Sequence, residues 1–309
     1  MNKVKGLIAA TFAAYKKDGN IDLDAIPPYV EYLIEQQVSG VFVCGTNGEG
    51  PNLTTEERMA ITEKYIACVA GRILVFVHVG HSSITEAKRL AAHAQEHGAD
   101  YISSVSAFYF KPSSVANLVD CMAEIASAAP KLPFFYYHIP ALTGIQIDMI
   151  QFLQLAEQKI PNLAGIKYTA ATMQEYQACL HYKSGKFDIL FGYDELLLPA
   201  LAVGAKGAIG STYNYAAKLY AQVVAYFEEG KLDEAEKLHF EAVQMVQLLV
   251  KYGPIPTQRA IMKKLGLDLG IPRLPLVALS KEQEQNLYAD LSDTAFLSRV
   301  KSCSFVKSC

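Results

Sequence analysis

The chain has 309 residues, just over half of them hydrophobic, and a formal net charge of −3. That near-neutral balance offers no basic face to nucleic acid or to an anionic membrane, and no apolar run reaches the roughly 18–20 residues of a membrane span. The length suits one large α/β barrel of about 250 residues carrying an extension.

Short, almost wholly apolar runs begin near Val4, Gly40, Ile73, Tyr101, Pro133, Leu163, Asp188 and Gly207. Such runs suit parallel strands buried on both faces. Their spacing of roughly 30 residues is what a strand, a helix and two loops occupy. Eight such units predict a closed (β/α)8 barrel. Between the runs, Thr54-Thr55-Glu56-Glu57, Ser83-Ile84-Thr85-Glu86 and Thr172-Met173-Gln174-Glu175 read as capping boxes that start helices. In the helix after Ser83, Ala87, Leu90, Ala91 and Ala94 trace one apolar stripe opposite a charged face. Beyond the eighth run, 231–251, 257–265 and 280–298 read as three helices with no strand between them. The chain therefore divides into a barrel domain, 1–230, and a helical extension, 231–309, packed on it. Gly270-Ile271-Pro272-Arg273-Leu274-Pro275 reads as an extended linker, because each proline biases its predecessor away from helix.

Met1-Asn2-Lys3-Val4-Lys5 leads straight into the first run without a cleavable signal, so a cytoplasmic protein is expected. The six cysteines, Cys44, Cys68, Cys121, Cys179, Cys303 and Cys309, form no CxxC pair. They suit reduced thiols used as small hydrophobes.

Barrels of this kind build their sites at the C-terminal ends of the strands. Lys167 stands there, in Leu163-Ala164-Gly165-Ile166-Lys167-Tyr168-Thr169. Burial favours the neutral amine, which attacks carbonyls to form imines; the alternative is a lysine that snorkels to water. Lys111 and Lys206 are poorer candidates, one in a polar loop and one on the opposite face of the barrel. After the second strand, Gly45-Thr46-Asn47-Gly48-Glu49-Gly50 can gather backbone N–H groups into a nest for a carboxylate or phosphate, or can simply turn the chain. At the end of the fifth, one of Tyr136 and Tyr137 must face the barrel axis, where a phenol can move protons or merely pack. Gly192-Tyr193-Asp194-Glu195 and Gly210-Ser211-Thr212 close the last two strands and suit a polyhydroxylated ligand, although Asp194 equally reads as a helix N-cap.

His93-Ala94-Gln95-Glu96-His97 matches an inverted zinc-protease motif, but it falls on the polar side of an outer helix, away from the strand ends. Of the other histidines, His138 is the one that strand order brings near Lys167. No metal site is expected.

Together, Gly45-Thr46-Asn47-Gly48-Glu49, Tyr137-His138-Ile139-Pro140, Gly165-Ile166-Lys167 and Gly210-Ser211-Thr212 resemble the N-acetylneuraminate lyase and dihydrodipicolinate synthase family, from about Val4 to Leu276. Within it, Tyr136 to Gly144 looks like the lyase branch, particularly its animal form. Leu142 stands where the synthases usually carry an arginine for a substrate carboxylate. The resemblance implies a class I aldolase that cleaves N-acetylneuraminate to pyruvate and N-acetylmannosamine without a metal or organic cofactor. It implies that Lys167 forms the imine, that Tyr137 takes the C4 hydroxyl proton, and that Thr46 orients Tyr137. Thr46 and Asn47 would hold the carboxylate, and Thr169, Gly192, Asp194, Glu195 and Ser211 the sugar portion. Asn47 replaces the family's usual second hydroxyl residue. Tyr109 matches a tyrosine that family members insert into a neighbouring subunit, and a homotetramer is implied on the same ground. The same imine chemistry on a 2-keto-3-deoxy sugar acid or 4-hydroxy-2-oxoglutarate is the nearest alternative. A catalytically silent barrel that binds sialic acid or a keto acid is another.

Overall fold

The computed structural model describes residues 3–292 together with Thr294 and Phe296. Cys303, Cys309 and the last part of the helix expected over 280–298 lie outside the described residues. Eight parallel strands form a closed barrel in chain order: β1 (Gly6–Ala10), β2 (Gly40–Val43), β3 (Leu74–His78), β4 (Tyr101–Val105), β5 (Phe134–His138), β6 (Leu163–Tyr168), β7 (Asp188–Phe191) and β8 (Gly207–Gly210). β1 pairs with both β2 and β8, so the sheet has no edge. Around it run α1 (Ile26–Glu35), α2 (Thr55–Val69), α3 (Ile84–Glu96), α4 (Val115–Ala126), α5 (Pro140–Thr143), α6 (Met149–Lys159), α7 (Met173–His181), α8 (Leu197–Ala202) and α9 (Tyr213–Glu228). Then come α10 (Leu232–Tyr252), α11 (Pro254–Lys264) and α12 (Lys281–Ser292). This is the expected (β/α)8 barrel with C-terminal helices.

Period-2 alternation sorts the strand residues into two cores. Ile8, Ala10, Phe42, Phe76, Phe135, Tyr137, Leu190 and Ile209 fill the barrel, whereas Leu7, Ala9, Val41, Val43, Tyr136, Ile166 and Tyr168 pack against the helices. One glycine is needed for closure itself. A Cβ on Gly165 would lie 1.7 Å from the Asp188 carbonyl oxygen, so only glycine lets β6 approach β7. The first strand begins at Gly6 rather than Val4, because the Val4 N–H donates to the Asp188 carboxylate at 2.7 Å instead of joining the ladder.

The helix starts differ from one another more than their sequences suggest. Thr54 and Glu57 form the full reciprocal box ahead of α2. Ser83 accepts from the Glu86 N–H at 3.4 Å, but the Glu86 carboxylate is spent on Thr55 and Arg89. Thr172 makes no side-chain cap, and Glu175 instead accepts from the Tyr168 hydroxyl at 2.6 Å and the Met149 N–H at 3.1 Å. Long-range partners outcompete the local box in both cases. α11 starts at Pro254, three residues before Thr257, because a proline at the first helical position gives up an N–H that has no partner there. α10 buries Ala235, Leu238, Ala242, Met245 and Leu249 on one face. No helix among the described residues is long and apolar enough to cross a membrane.

Candidate active site

Ile166 and Tyr168 point to the helices, so Lys167 between them must point into the barrel, and its side chain is only 3% exposed. Its Nζ lies 4.0 Å from the centre of the Phe42 ring and 3.9 Å from that of Tyr137. Two ring faces solvate an ammonium poorly compared with water. Burial brings its pKa down to about 7, although the charge of Asp194 works in the opposite direction. A large fraction of this amine is therefore uncharged at neutral pH.

Tyr137 is the inward tyrosine and Tyr136 the outward one, which packs on Phe152 at 4.6 Å. The Tyr137 ring stands edge-on to Phe42 and His78, and its hydroxyl lies 3.3 Å from Thr46 Oγ1. Burial pushes this phenol up to about 12, against the lowering effect of the Thr46 hydrogen bond. It is protonated at rest.

The Gly45–Gly50 loop is built differently from its sequence reading. The left-handed residues are Cys44 (φ 58°) and Glu49 (φ 51°), not the glycines. The glycines serve close contact instead: a Cβ on Gly50 would lie 2.2 Å from the Cys44 carbonyl oxygen. Glu49 and Gly50 N–H close the turn on the Thr46 and Gly45 carbonyls, both at 3.0 Å. Among the described residues, the Thr46 and Asn47 N–H groups have no hydrogen-bond partner. The buried Glu49 carboxylate anchors the loop by accepting from Arg259 Nη2 at 2.7 Å and the Arg273 N–H at 3.0 Å.

On the opposite side, Asp194 does not cap the turn that it begins. Its Oδ2 accepts from the Thr212 N–H (2.8 Å) and hydroxyl (2.7 Å), while Oδ1 is buried without a partner. A Cβ on Gly210 would sit 1.7 Å from that Oδ1, so this carboxylate fits only beside glycine. Burial raises its pKa to about 6, and the Thr212 bonds oppose the shift. Thr169 Oγ1 is likewise buried; it lies beside the Tyr137 hydroxyl, whose pKa it lowers, in a space that a Cβ on Gly192 would enter to within 2.0 Å.

One cavity of about 310 Å³ gathers Thr46, Asn47, Tyr137, Lys167, Thr169, Gly192, Asp194, Glu195 and Ser211. Tyr109 is not among its lining residues; it is 78% exposed, with its ring against Phe110. Val246, Leu249, Val250, Pro254 and Gln258 complete the wall from α10 and α11. Nothing in the local sequence of those helices marks them as part of a site.

The histidine near Lys167 is His78, not His138. His138 follows the inward Tyr137 and so turns outward, packing on Tyr168 at 5.2 Å. His78 shares the inward parity of Phe76, a signal present in the sequence; its Nδ1 lies 3.1 Å from the Cys44 carbonyl. Burial, then Arg58 and Lys167, hold it well below its usual range, so the ring is neutral. His93 and His97 do lie on the outer face, where their ring nitrogens converge with Glu63 of α2 within 4.8 Å. Glu96 of the sequence motif takes no part in that cluster.

The profile of the dihydrodipicolinate synthetase family matches residues 3–294, nearly the whole chain. The chain belongs to that family. Its similarity to an N-acetylneuraminate lyase of Xenopus tropicalis is 42% identity over 289 residues, covering 92% of this chain and 94% of the relative. Among solved structures of the family, the N-acetylneuraminate lyase of Proteus mirabilis superposes with a TM-score of 0.93 at 37% identity, covering 96% of this chain and all of that one. A sialic acid aldolase of Ruminococcus gnavus, solved as a mutant of its catalytic lysine, reaches a TM-score of 0.89 at 28% identity, over 96% of this chain and 97% of that one.

Proposed function

We propose that this family member is a class I aldolase that cleaves N-acetylneuraminate to N-acetylmannosamine and pyruvate, with Lys167 as the imine-forming amine. The observation that carries the reading is the Lys167 Nζ held between the Phe42 and Tyr137 rings at the floor of a polar-rimmed cavity. The names of the relatives, at 42% and 37% identity over nearly full length, support the substrate.

The neutral amine attacks C2 of the open-chain 2-oxo acid, and loss of water leaves a protonated imine. Imine formation takes up one proton from solvent, and the new positive charge lies against the Tyr137 ring, so the phenol, though protonated at rest, gives up its proton to solvent. The Tyr137 phenolate then accepts the proton from the C4 hydroxyl. The C3–C4 bond then breaks, and its electron pair moves into the imine to give an enamine. Protonation at C3 and hydrolysis release pyruvate and restore the amine. The imine is the electron sink, so the scheme calls for no metal or organic cofactor.

Thr46 orients Tyr137, and the free Thr46 and Asn47 N–H groups suit the substrate carboxylate. Thr169, Gly192, Asp194, Glu195 and Ser211 suit the polyol. Residues 1–230 act as the catalytic barrel, and 231–309 as an extension that completes its cavity. The exposed Tyr109 suits a contact with a second subunit of a homotetramer, and a cytoplasmic location accords with this metabolism. Borohydride reduction in the presence of pyruvate, followed by peptide mass mapping, tests the central claim. The expected adduct falls on Lys167 alone, and an adduct on another lysine would overturn it. Pyruvate release from N-acetylneuraminate, from a 2-keto-3-deoxy sugar acid and from 4-hydroxy-2-oxoglutarate tests the substrate.

A further inference from the structure

The cavity has a wall that the proposed chemistry does not use. From α10 and α11 it receives Val246, Leu249, Val250 and Pro254, which are apolar, and one polar residue, Gln258. Gln258 is 1% exposed, and its carboxamide oxygen accepts from the Tyr215 hydroxyl at 3.2 Å. The same hydroxyl lies 3.5 Å from Met245 Sδ, a much weaker acceptor than a carboxamide oxygen, so its proton goes to Gln258 and the NH2 is the free end of the amide. Among the described residues the NH2 has no protein partner, and it is not sealed from solvent as the buried orphan atoms are. Gln258 lines the cavity, and its one polar end without a protein partner is that NH2. The wall thus presents one hydrogen-bond donor beside a patch of aliphatic carbon. A hydroxyl or a carboxylate would waste the patch, and a bare alkyl group would leave the donor unpaired.

Building on the lyase reading, we propose that Gln258, oriented by Tyr215, forms the subsite for the N-acyl group of the substrate. The Gln258 NH2 donates to the acyl carbonyl oxygen, and Val246, Leu249, Val250 and Pro254 cover the acyl methyl. A site built around such a donor rejects an analogue that lacks the acceptor, because the donor is then left unpaired. This places the choice of acyl group in the helical extension, apart from the lysine and phenol that carry out the bond cleavage.

The test measures pyruvate release from N-acetylneuraminate and from the analogue with a hydroxyl in place of the acetamido group, for wild type, Gln258→Leu, Gln258→Glu and Tyr215→Phe. Gln258→Leu is expected to lower kcat/KM on the acetamido substrate by about 10-fold, mostly through KM, and to cost the analogue at least about fivefold less. Gln258→Glu retains an acceptor for Tyr215 but loses the donor, and is expected to show the same selective loss. Tyr215→Phe frees the amide to turn and is expected to give a smaller loss with the same selectivity. Trapping of pyruvate on Lys167 by borohydride serves as the check on folding. Equal losses on both substrates, with trapping intact, would overturn the subsite and leave the lyase reading standing. Wild-type protein that traps pyruvate but leaves N-acetylneuraminate uncleaved would overturn both.

Discussion

The side of the cavity built from β2, β5 and β6 and the side built from β7 and β8 surround a buried charge differently. On the first, the Lys167 amine sits between the faces of Phe42 and Tyr137, and burial brings its pKa to about 7. On the second, the Asp194 carboxylate is equally buried but receives two hydrogen bonds from Thr212, which oppose the effect of burial. One side gives a buried ammonium no hydrogen-bond acceptor, so its neutral form is favoured. The other gives a buried carboxylate two donors, which hold down the shift that burial causes. Burial alone therefore does not define a role; the donors around the buried group do.

Substitutions test this contrast, beginning with the largest effect. Lys167→Ala removes the nucleophile, and both the borohydride adduct and pyruvate release are expected to vanish; retained turnover would end the imine scheme. Tyr137→Phe keeps the aromatic face beside the amine but loses the hydroxyl. It is expected to keep pyruvate trapping while turnover falls about 100-fold, the scale of a lost acid–base group. A parallel loss of trapping would instead make Tyr137 a packing residue.

Asp194→Asn sharpens the contrast from the other side. It removes a charged acceptor, worth about 10-fold or more in kcat/KM. It also removes a charge that raises the Lys167 pKa, so the acid limb of the rate profile is expected to move to lower pH. That limb follows from the sign of the lysine shift. The neutral amine is the reactive form, so the rate of imine formation should fall about tenfold per pH unit well below the Lys167 pKa of about 7. A flat profile between pH 5 and 7, read by stopped-flow trapping, would show that the amine is not the group that titrates. Thr46→Val should have the smallest effect, about fivefold in turnover, since it removes one neutral hydrogen bond to a phenol that stays in place.

Much of the site could be read before any coordinates, because it is written in short-range pattern. An apolar run that ends in Ile166-Lys167-Tyr168 places a lysine at a strand end, and the polar residues after β2, β7 and β8 fall on the same rim. Helices do start after Ser83 and Thr172, but the reciprocal half of each box is missing because Glu86 and Glu175 bond elsewhere, to Thr55 and to Tyr168. His138 misled because nearness in strand order says nothing about which face a side chain takes. The inward parity of His78 was there to be found.

What the amino-acid order alone determined is the alternation of strand and helix and the placing of one lysine at a strand end, since period-2 burial is a local property. Which of two adjacent tyrosines turned inward, and how Gln258 came to line the same cavity as Lys167, were decided only when the barrel closed and α10 and α11 packed on it. Those neighbours are set by contacts between residues tens to hundreds of positions apart, which no periodicity within a segment encodes.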